Sequence, residues 1–286
     1  MKDLEAQHPE KEPPLLKIEN LWLVYPPPNQ VEALRGIDLT IRRGEFVAFI
    51  GQNGSGKSTL TKCISGFLRP TKGCVYVNGK DNTKIRTSKL AQVIGYVFQN
   101  PDHQLFKENI FSELAFGLKN IGKSKDFIEK KVEQVLKRMH LWEARDAHPF
   151  QLGKGERERV AIAAILAMEP EVLIVDEPTT GQDRREARTI MKLMAELNKE
   201  GVTVIFITHA MHLVAEYAKR VVALYKGQIL IDGDVREVFS QPSLLAKTYI
   251  QPPQITRFGI NLEISPLPLG VNEAIKMLLG EIQGGR

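Results

Sequence analysis

Gly51-Gln52-Asn53-Gly54-Ser55-Gly56-Lys57-Ser58-Thr59 has the residue types and spacing to hold a phosphate. The pattern is G-x-x-x-x-G-K-[ST], and its surroundings suit it. Residues 45–50 (EFVAFI) read as a buried strand, and residues 60–67 (LTKCISGF) as the start of a helix. Glycines let the backbone approach closely, so successive N–H groups can ring an anion. The helix N-terminus adds partial positive charge. Lys57 would reach the β- and γ-phosphates, and Ser58 would hold Mg²⁺. The rival reading is a glycine-rich turn with a surface lysine, and the strand and helix flanks weigh against it. A second constellation lies downstream. Residues 172–175 (VLIV) are four apolar residues followed by Asp176 and Glu177. In a parallel sheet, ligands sit at the carboxyl ends of the strands, so both carboxylates would emerge beside the loop. Asp176 suits a Mg²⁺ shell, and Glu177 suits polarising an attacking water. Two acidic residues capping a strand end are the bland alternative.

These groups need a frame. Residues 16–78 read mostly as strands with tight turns (LLKIENLWLVY, IDLTI, CVYVNG), the last ending at an Asn78-Gly79 turn. Residues 93–99 (VIGYVFQ) form another strand candidate. Ile128, Val132, Val135, Leu136 and Met139 recur at helical spacing across 126–140. An Ala-rich helix follows over 160–168. Ala187, Ile190, Met191, Met194 and Leu197 mark an amphipathic helix, and residues 202–207 (VTVIFI) the next strand. Such alternation implies a parallel sheet with helices on both faces. Residues 221–230 read as a hairpin turning at Lys226-Gly227. Beyond 234 the composition shifts toward proline, and a short helix is expected over 272–279.

With 286 residues, 43% hydrophobic and 26% charged, the chain has ordinary globular composition. The net charge of +5 is scattered; it is compatible with anionic nucleotides or an acidic membrane surface and identifies neither. Cys63 and Cys74 suggest neither a disulfide framework nor a metal quartet. Both are expected as small core residues, in a reducing compartment. The charged, proline-bearing start lacks the apolar stretch of a signal peptide. The longest apolar run, 160–168, is far short of the ~20 residues a spanning helix needs. Work at a membrane would require separate spanning chains.

Taken in order, these motifs resemble those of the ATP-binding cassette (ABC) transporter ATPases, over roughly residues 16–235. The resemblance implies an α/β fold: a P-loop NTPase (RecA-like) core with an antiparallel β subdomain and an inserted helical subdomain at about 102–168. A flexible lead-in (1–15) and a small C-terminal α/β extension for dimerisation (236–286) complete it. ATP and Mg²⁺ are the implied cofactors. The loop residues Gly51, Asn53, Gly54, Ser55, Gly56, Lys57, Ser58 and Thr59 would bind nucleotide, and Tyr25 would stack on adenine. Ser58, Gln99 and Asp176 would surround the metal. Glu177, Gln99 and His209 would be catalytic, with Gln99 also coupling to the membrane partner and His209 contacting the γ-phosphate. Gly181-Gln182-Asp183 matches the loop that crosses the family's dimer, so Asp183 would act in trans. Each has a bland alternative: a core aromatic for Tyr25, a polar strand end for Gln99, a loop histidine for His209.

One element departs. The family's signature loop usually reads Leu-Ser-Gly-Gly-Gln; here it is Leu152-Gly153-Lys154-Gly155-Glu156. Gly153 replaces the serine that would donate to a γ-phosphate, Gly155 is kept, and Glu156 brings negative charge. Losing one charge-assisted bond costs about 1.5–3 kcal/mol. Because the signature acts across a head-to-tail dimer, Gly153 and Gly155 would act on a partner's nucleotide. The expectation is a heterodimer with a second ATPase subunit that has an intact signature.

Phe98-Gln99-Asn100-Pro101-Asp102-His103-Gln104 resembles the extended loop of energy-coupling factor (ECF) transporter ATPases, with a polar loop as the bland reading of Asp102 and Gln104. Gln251-Pro252-Pro253-Gln254-Ile255, Pro266-Leu267-Pro268 and Asn272-Glu273-Ala274 resemble their C-terminal segment. The implied partners are a transmembrane coupling protein and a membrane substrate-binding subunit, with no nucleic acid. The implied task is uptake of a vitamin or transition-metal ion from the cytoplasmic face of the membrane. The rivals are an ATPase of a conventional ABC importer or exporter, a weakly hydrolysing regulatory subunit, and a soluble non-transport ABC ATPase.

Overall fold

The computed structural model describes residues 13–28 and 30–284. Its strands, in chain order, are β1 (Leu16–Val24), β2 (Glu32–Ile41), β3 (Phe46–Ile50), β4 (Lys72–Val77), β5 (Lys80–Asp81), β6 (Ile94–Val97), β7 (Val172–Asp176), β8 (Thr203–Ile207), β9 (Arg220–Tyr225) and β10 (Gln228–Asp234). They build two sheets. An antiparallel four-stranded sheet runs β2-β1-β4-β5. A six-stranded sheet runs β10-β9-β3-β8-β7-β6, parallel throughout except for the β9–β10 hairpin.

The central strands are apolar except at their ends, where Thr203 opens β8 and Asp176 closes β7, because both of their faces are covered. Phe46, Ala48 and Ile50 of β3, Leu173 and Val175 of β7, and Val204 and Phe206 of β8 face one core. Val47, Phe49, Val172, Ile174, Ile205 and Ile207 face the other, shared with the antiparallel sheet.

The helices are α1 (Lys57–Ile64), α2 (Thr87–Val93), α3 (Ile110–Asn120), α4 (Lys125–Arg138), α5 (Lys154–Leu166), α6 (Arg184–Lys199), α7 (Met211–Tyr217), α8 (Val235–Phe239), α9 (Pro242–Leu245), α10 (Gln254–Asn261) and α11 (Val271–Gly284). Helix α1 lies between the sheets, with Leu60, Cys63 and Ile64 buried in the second core. Helices α3, α4 and α5 pack together on the other face. The apolar periodicity of α4 is buried as expected, through Ile128, Val132, Val135 and Leu136. Among the described residues, no helix is long and apolar enough to cross a membrane.

Both expected hairpin turns form, at Asn78-Gly79 and Lys226-Gly227. Three expectations are corrected. The described part of the C-terminal extension holds helices joined by loops and no strand, and its last helix begins at Val271 and runs past 279 to Gly284. The expected lead-in reaches into the fold at Leu15, which is 1% exposed and whose carbonyl accepts from the Asn78 N–H. The rest of the expected lead-in, residues 1–12, lies outside the described residues. Cys63 is buried, which pushes its thiol up to about 12, but Cys74 is only half-buried.

Candidate functional site

Strand register gathers the chemistry. Phe49 pairs with Ile207, Ile207 with Asp176, and Val175 with Val97. Four neighbouring parallel strands therefore end almost level, as ligand-binding edges of such sheets do. Beyond β3 comes the glycine-rich loop, beyond β8 His209, at the end of β7 Asp176 and Glu177, and beyond β6 Gln99. An open cleft of about 420 Å³ lies among residues 53–59, Gln99, Glu177 and His209.

The loop needs glycine at its two ends. Gly51 has φ 148°, and a Cβ there would sit 2.4 Å from the Leu224 carbonyl oxygen. Gly56 has φ 106°, and a Cβ would sit 2.8 Å from the Ala33 carbonyl oxygen. Lys57 opens α1, and its Nζ donates to the carbonyls of Gly51 (2.7 Å) and Gln52 (2.9 Å). Burial holds the Lys57 ammonium below the usual lysine range, and the nearby Glu177 and Asp176 oppose that shift. Ser55 Oγ is buried and has no hydrogen-bond partner among the described residues. Tyr25 reaches the loop: its hydroxyl lies 3.2 Å from Thr59 Oγ1.

Asp176 is buried, which raises its carboxyl above the usual range. Hydrogen bonds from Ser58 and Tyr96 oppose the shift, and the Tyr96 hydroxyl lies 3.0 Å from Asp176 Oδ2. Ser58 and Asp176 are thus neighbours in the structure. Gln99 lies elsewhere: its Nε2 donates to Glu177 Oε2 at 3.0 Å. Thr180 Oγ1 donates to the same oxygen at 2.8 Å, and His209 Nε2 lies 3.3 Å from Glu177 Oε1. Glu177 itself has φ 50°, a left-handed conformation that is unusual outside glycine, and its N–H donates to the Ile207 carbonyl.

Gly153, Gly155 and Asp183 do not line this cleft. Gly153 caps α5, and its N–H donates to the Glu156 carboxylate at 3.1 Å. Arg159 lies 3.8 Å from the other Glu156 oxygen. The expected repulsion from Glu156 is therefore reduced, because its charge is bound to its own helix start. Lys154 turns onto the chain beyond β7, donating to the Thr180 carbonyl at 2.8 Å. Arg159 pairs with Glu186 of α6 at 2.9 Å. Asp183 caps α6 by accepting from the N–H groups of Arg185 and Glu186. The segment after Gln99 is also tied to α5: Asp102 pairs with Arg157 at 2.7 Å, and Gln104 Nε2 donates to the Ala161 carbonyl at 3.1 Å. Asp102 and Gln104 are structural anchors rather than loose polar loop residues.

Sequence reasoning missed four features. Tyr96 and Thr180 orient the two carboxylates. Thr180 stands three residues after Glu177, where a turn folds back, and that spacing was a usable signal. Phe106 and Phe116 form an exposed pair (61% and 36%) with ring centroids 4.9 Å apart and Lys107 Nζ over both rings. An aromatic beside a lysine just after the Gln99 segment was a weak signal for this patch. Thr248, far along the chain, reaches the loop with no signal at all.

The chain matches the ABC transporter family over residues 34–180, half of its length. It is 42% identical over 245 residues to the energy-coupling factor transporter ATP-binding protein EcfA2 of Acetivibrio thermocellus, covering 84% of this chain and 87% of that protein. It is 41% identical over 243 residues to the corresponding EcfA protein of Methanocaldococcus jannaschii, covering 84% and 86%. The chain spans about two fifths of the length of other curated relatives: one from Methanosarcina acetivorans, also named for ABC transporter ATP binding, is 44% identical over 90% of this chain and 42% of its own length. Among solved structures, cbiO1 from Clostridium perfringens, described as part of the ABC transporter complex cbiONQ, superposes with TM-score 0.73 at 38% identity. That match covers 88% of this chain and 99% of cbiO1. A dimeric ATP-binding cassette bound to ADP and Pi superposes with TM-score 0.70 at 28% identity, covering 77% and 99%.

Proposed function

The chain belongs to the ABC transporter ATPase family, and from that premise we propose that it is the ATP-hydrolysing subunit of an ECF-type importer on the cytoplasmic face of the cell membrane. The observation that carries this reading is the convergence of Gln99, Thr180 and His209 on the Glu177 carboxylate, opposite the Lys57 loop. Backbone N–H groups of the cleft-lining loop residues from Asn53 to Ser58 and Lys57 Nζ receive the phosphates of ATP, and Tyr25 packs beside the base. Ser58, Asp176 and the Gln99 amide offer only oxygen ligands to a metal, which fits Mg²⁺, an ion that takes few protein oxygens and completes its shell with phosphate and water. Mg²⁺ supplies charge neutralisation at the β- and γ-phosphates when bound. Glu177 orients the attacking water and accepts its proton, Gln99 and Thr180 fix the carboxylate's direction, and His209 faces the γ-phosphate.

A second ATPase subunit with an intact signature closes over this nucleotide. The side chains of Phe258, Leu262, Val271 and Ile275, left exposed on α10, just after it and on α11, support a role for the extension in dimerisation. The Phe106–Phe116 patch beside the Gln99 segment suits docking of a transmembrane coupling protein, which in turn serves a membrane substrate-binding subunit. Closing and reopening of the ATPase pair then moves the membrane partners. The branch assignment rests on the Gln99–Gln104 segment and the ECF-named relatives, and the transported vitamin or metal ion would bind another chain.

The altered signature supports a second reading, a subunit that binds ATP but hydrolyses it weakly. Reconstitution with candidate membrane subunits separates the two. ATP-driven uptake that is lost on Lys57→Ala and Glu177→Gln supports the first; uptake indifferent to Glu177→Gln, with binding intact, supports the second.

A further inference from the structure

Thr248 lies in the C-terminal extension, outside the matched family region, yet it touches the phosphate loop. It is wholly buried. Its hydroxyl donates to the Leu224 carbonyl at 2.9 Å and accepts from the Gln52 N–H at 3.0 Å. A hydroxyl has one proton, so donation to Leu224 leaves a lone pair for Gln52 and fixes the direction of both bonds. The Gln52 N–H belongs to the peptide unit whose carbonyl, on Gly51, accepts the Lys57 ammonium. One rigid peptide plane therefore has Thr248 on one side and Lys57 on the other. Gly51 lies close to the same Leu224 carbonyl, since a Cβ built there would sit 2.4 Å from its oxygen, so only glycine fits at this point of the loop.

The segment carrying Thr248 is itself anchored by its neighbours in the extension. Ile250 is buried in the main core. Thr256 of α10 donates to the Pro268 carbonyl at 2.9 Å, and Arg236 of α8 pairs with Glu273 of α11. These last two contacts brace the extension internally; it docks through Val238, Phe239, Leu245 and Ile250, buried in the main core, and Thr248 is where that docking meets the loop.

We propose that Thr248 is a positioning residue of the phosphate loop, and that it links the C-terminal extension to nucleotide binding. Docking of the extension strengthens ATP binding, and ATP binding strengthens docking by the same factor. This rests on the reading of the Lys57 loop as the ATP site.

The test compares the full chain with its Thr248→Val and Thr248→Ser variants. Valine keeps the shape and removes both bonds, leaving the part-buried Gln52 N–H and the Leu224 carbonyl without the hydroxyl. ATP binding, measured with Mg²⁺ present, weakens about tenfold in Thr248→Val. In the assembled ATPase, KM rises while kcat stays within about twofold, the pattern of lost ground-state binding. Thr248→Ser restores wild-type values. Amide hydrogen exchange across residues 246–261 slows when ATP is added to the wild type and to Thr248→Ser, but not to Thr248→Val. Equal ATP affinity in wild type and Thr248→Val overturns the proposal, as does exchange in the wild type that ATP leaves unchanged. The exchange experiment decides alone if the valine variant fails to fold. Lys57→Ala is the control: undiminished ATP binding there overturns the reading of the site itself rather than the link.

Discussion

At the scale of single residues, Glu177 concentrates the cost of the site. Its left-handed backbone costs about 1–3 kcal/mol for a residue with a side chain. The Ile207 carbonyl on its N–H and the Gln99 and Thr180 bonds on its carboxylate hold it there. Glu177→Gln keeps the size of the side chain and removes the base. ATP binding is expected to persist while turnover falls about 10²–10⁴-fold, measured by retention of labelled ATP and release of phosphate. Lys154 reaches the same turn from the signature loop, through the Thr180 carbonyl. Lys154→Met is expected to slow turnover about tenfold, and the Lys154→Met/Thr180→Val double variant to be no slower than Thr180→Val alone. Additive losses would place the effect of Lys154 away from Glu177.

At the scale of elements, α5 carries an ionisable group that the proposed chemistry does not use. Glu158 is 1% exposed, and its Oε1 has no partner among the described residues. Burial pushes its carboxyl up to about 8, and Lys154 opposes the shift. The folded value lies above the unfolded value of 4.5, so the folded state favours the protonated form. This contribution to stability is fully present below about pH 4.5 and is lost as the pH rises toward 8. Glu158→Gln removes the titration. Thermal melts from about pH 5 to about pH 9 should show a falling wild-type curve and a flatter variant, with the variant ahead by about 1–3 kcal/mol at the alkaline end. Parallel curves would show that Glu158 is solvated in the folded chain.

At the scale of the whole molecule, the altered signature lies away from this chain's own cleft, and under the proposed function it would act on a partner's nucleotide. Glu156 is neutralised locally and Lys154 is engaged within its own chain, so neither is free to replace the missing serine. Mixing this chain with a subunit of intact signature is expected to raise ATP turnover per site about tenfold or more over the chain alone. Steady-state hydrolysis across mixing ratios would measure this, with a maximum near equal amounts. A flat profile at full activity would mean that the chain is competent as a homodimer.

The linear chain already determined the phosphate loop, the carboxylate pair, the central strands and the long helices. Each is a local pattern: glycines where the backbone must turn, apolar runs where a strand is covered on both faces, 3.6-residue periodicity where a helix has one buried stripe. Gln99 and His209 were legible too, through the resemblance to the family and their places after strand-like runs. Only the tertiary structure decided what these groups touch. Strand register set Gln99 on Glu177 rather than beside Asp176. Folding of α5 beside the turn after β7 set Lys154 on the Thr180 carbonyl. The extension proved all-helical, because its short apolar segments dock on the finished core instead of joining a sheet. Thr248 meets Gln52 across 196 residues of sequence. No local pattern encodes such a contact, because it forms only when two remote segments are buried against the same strand end.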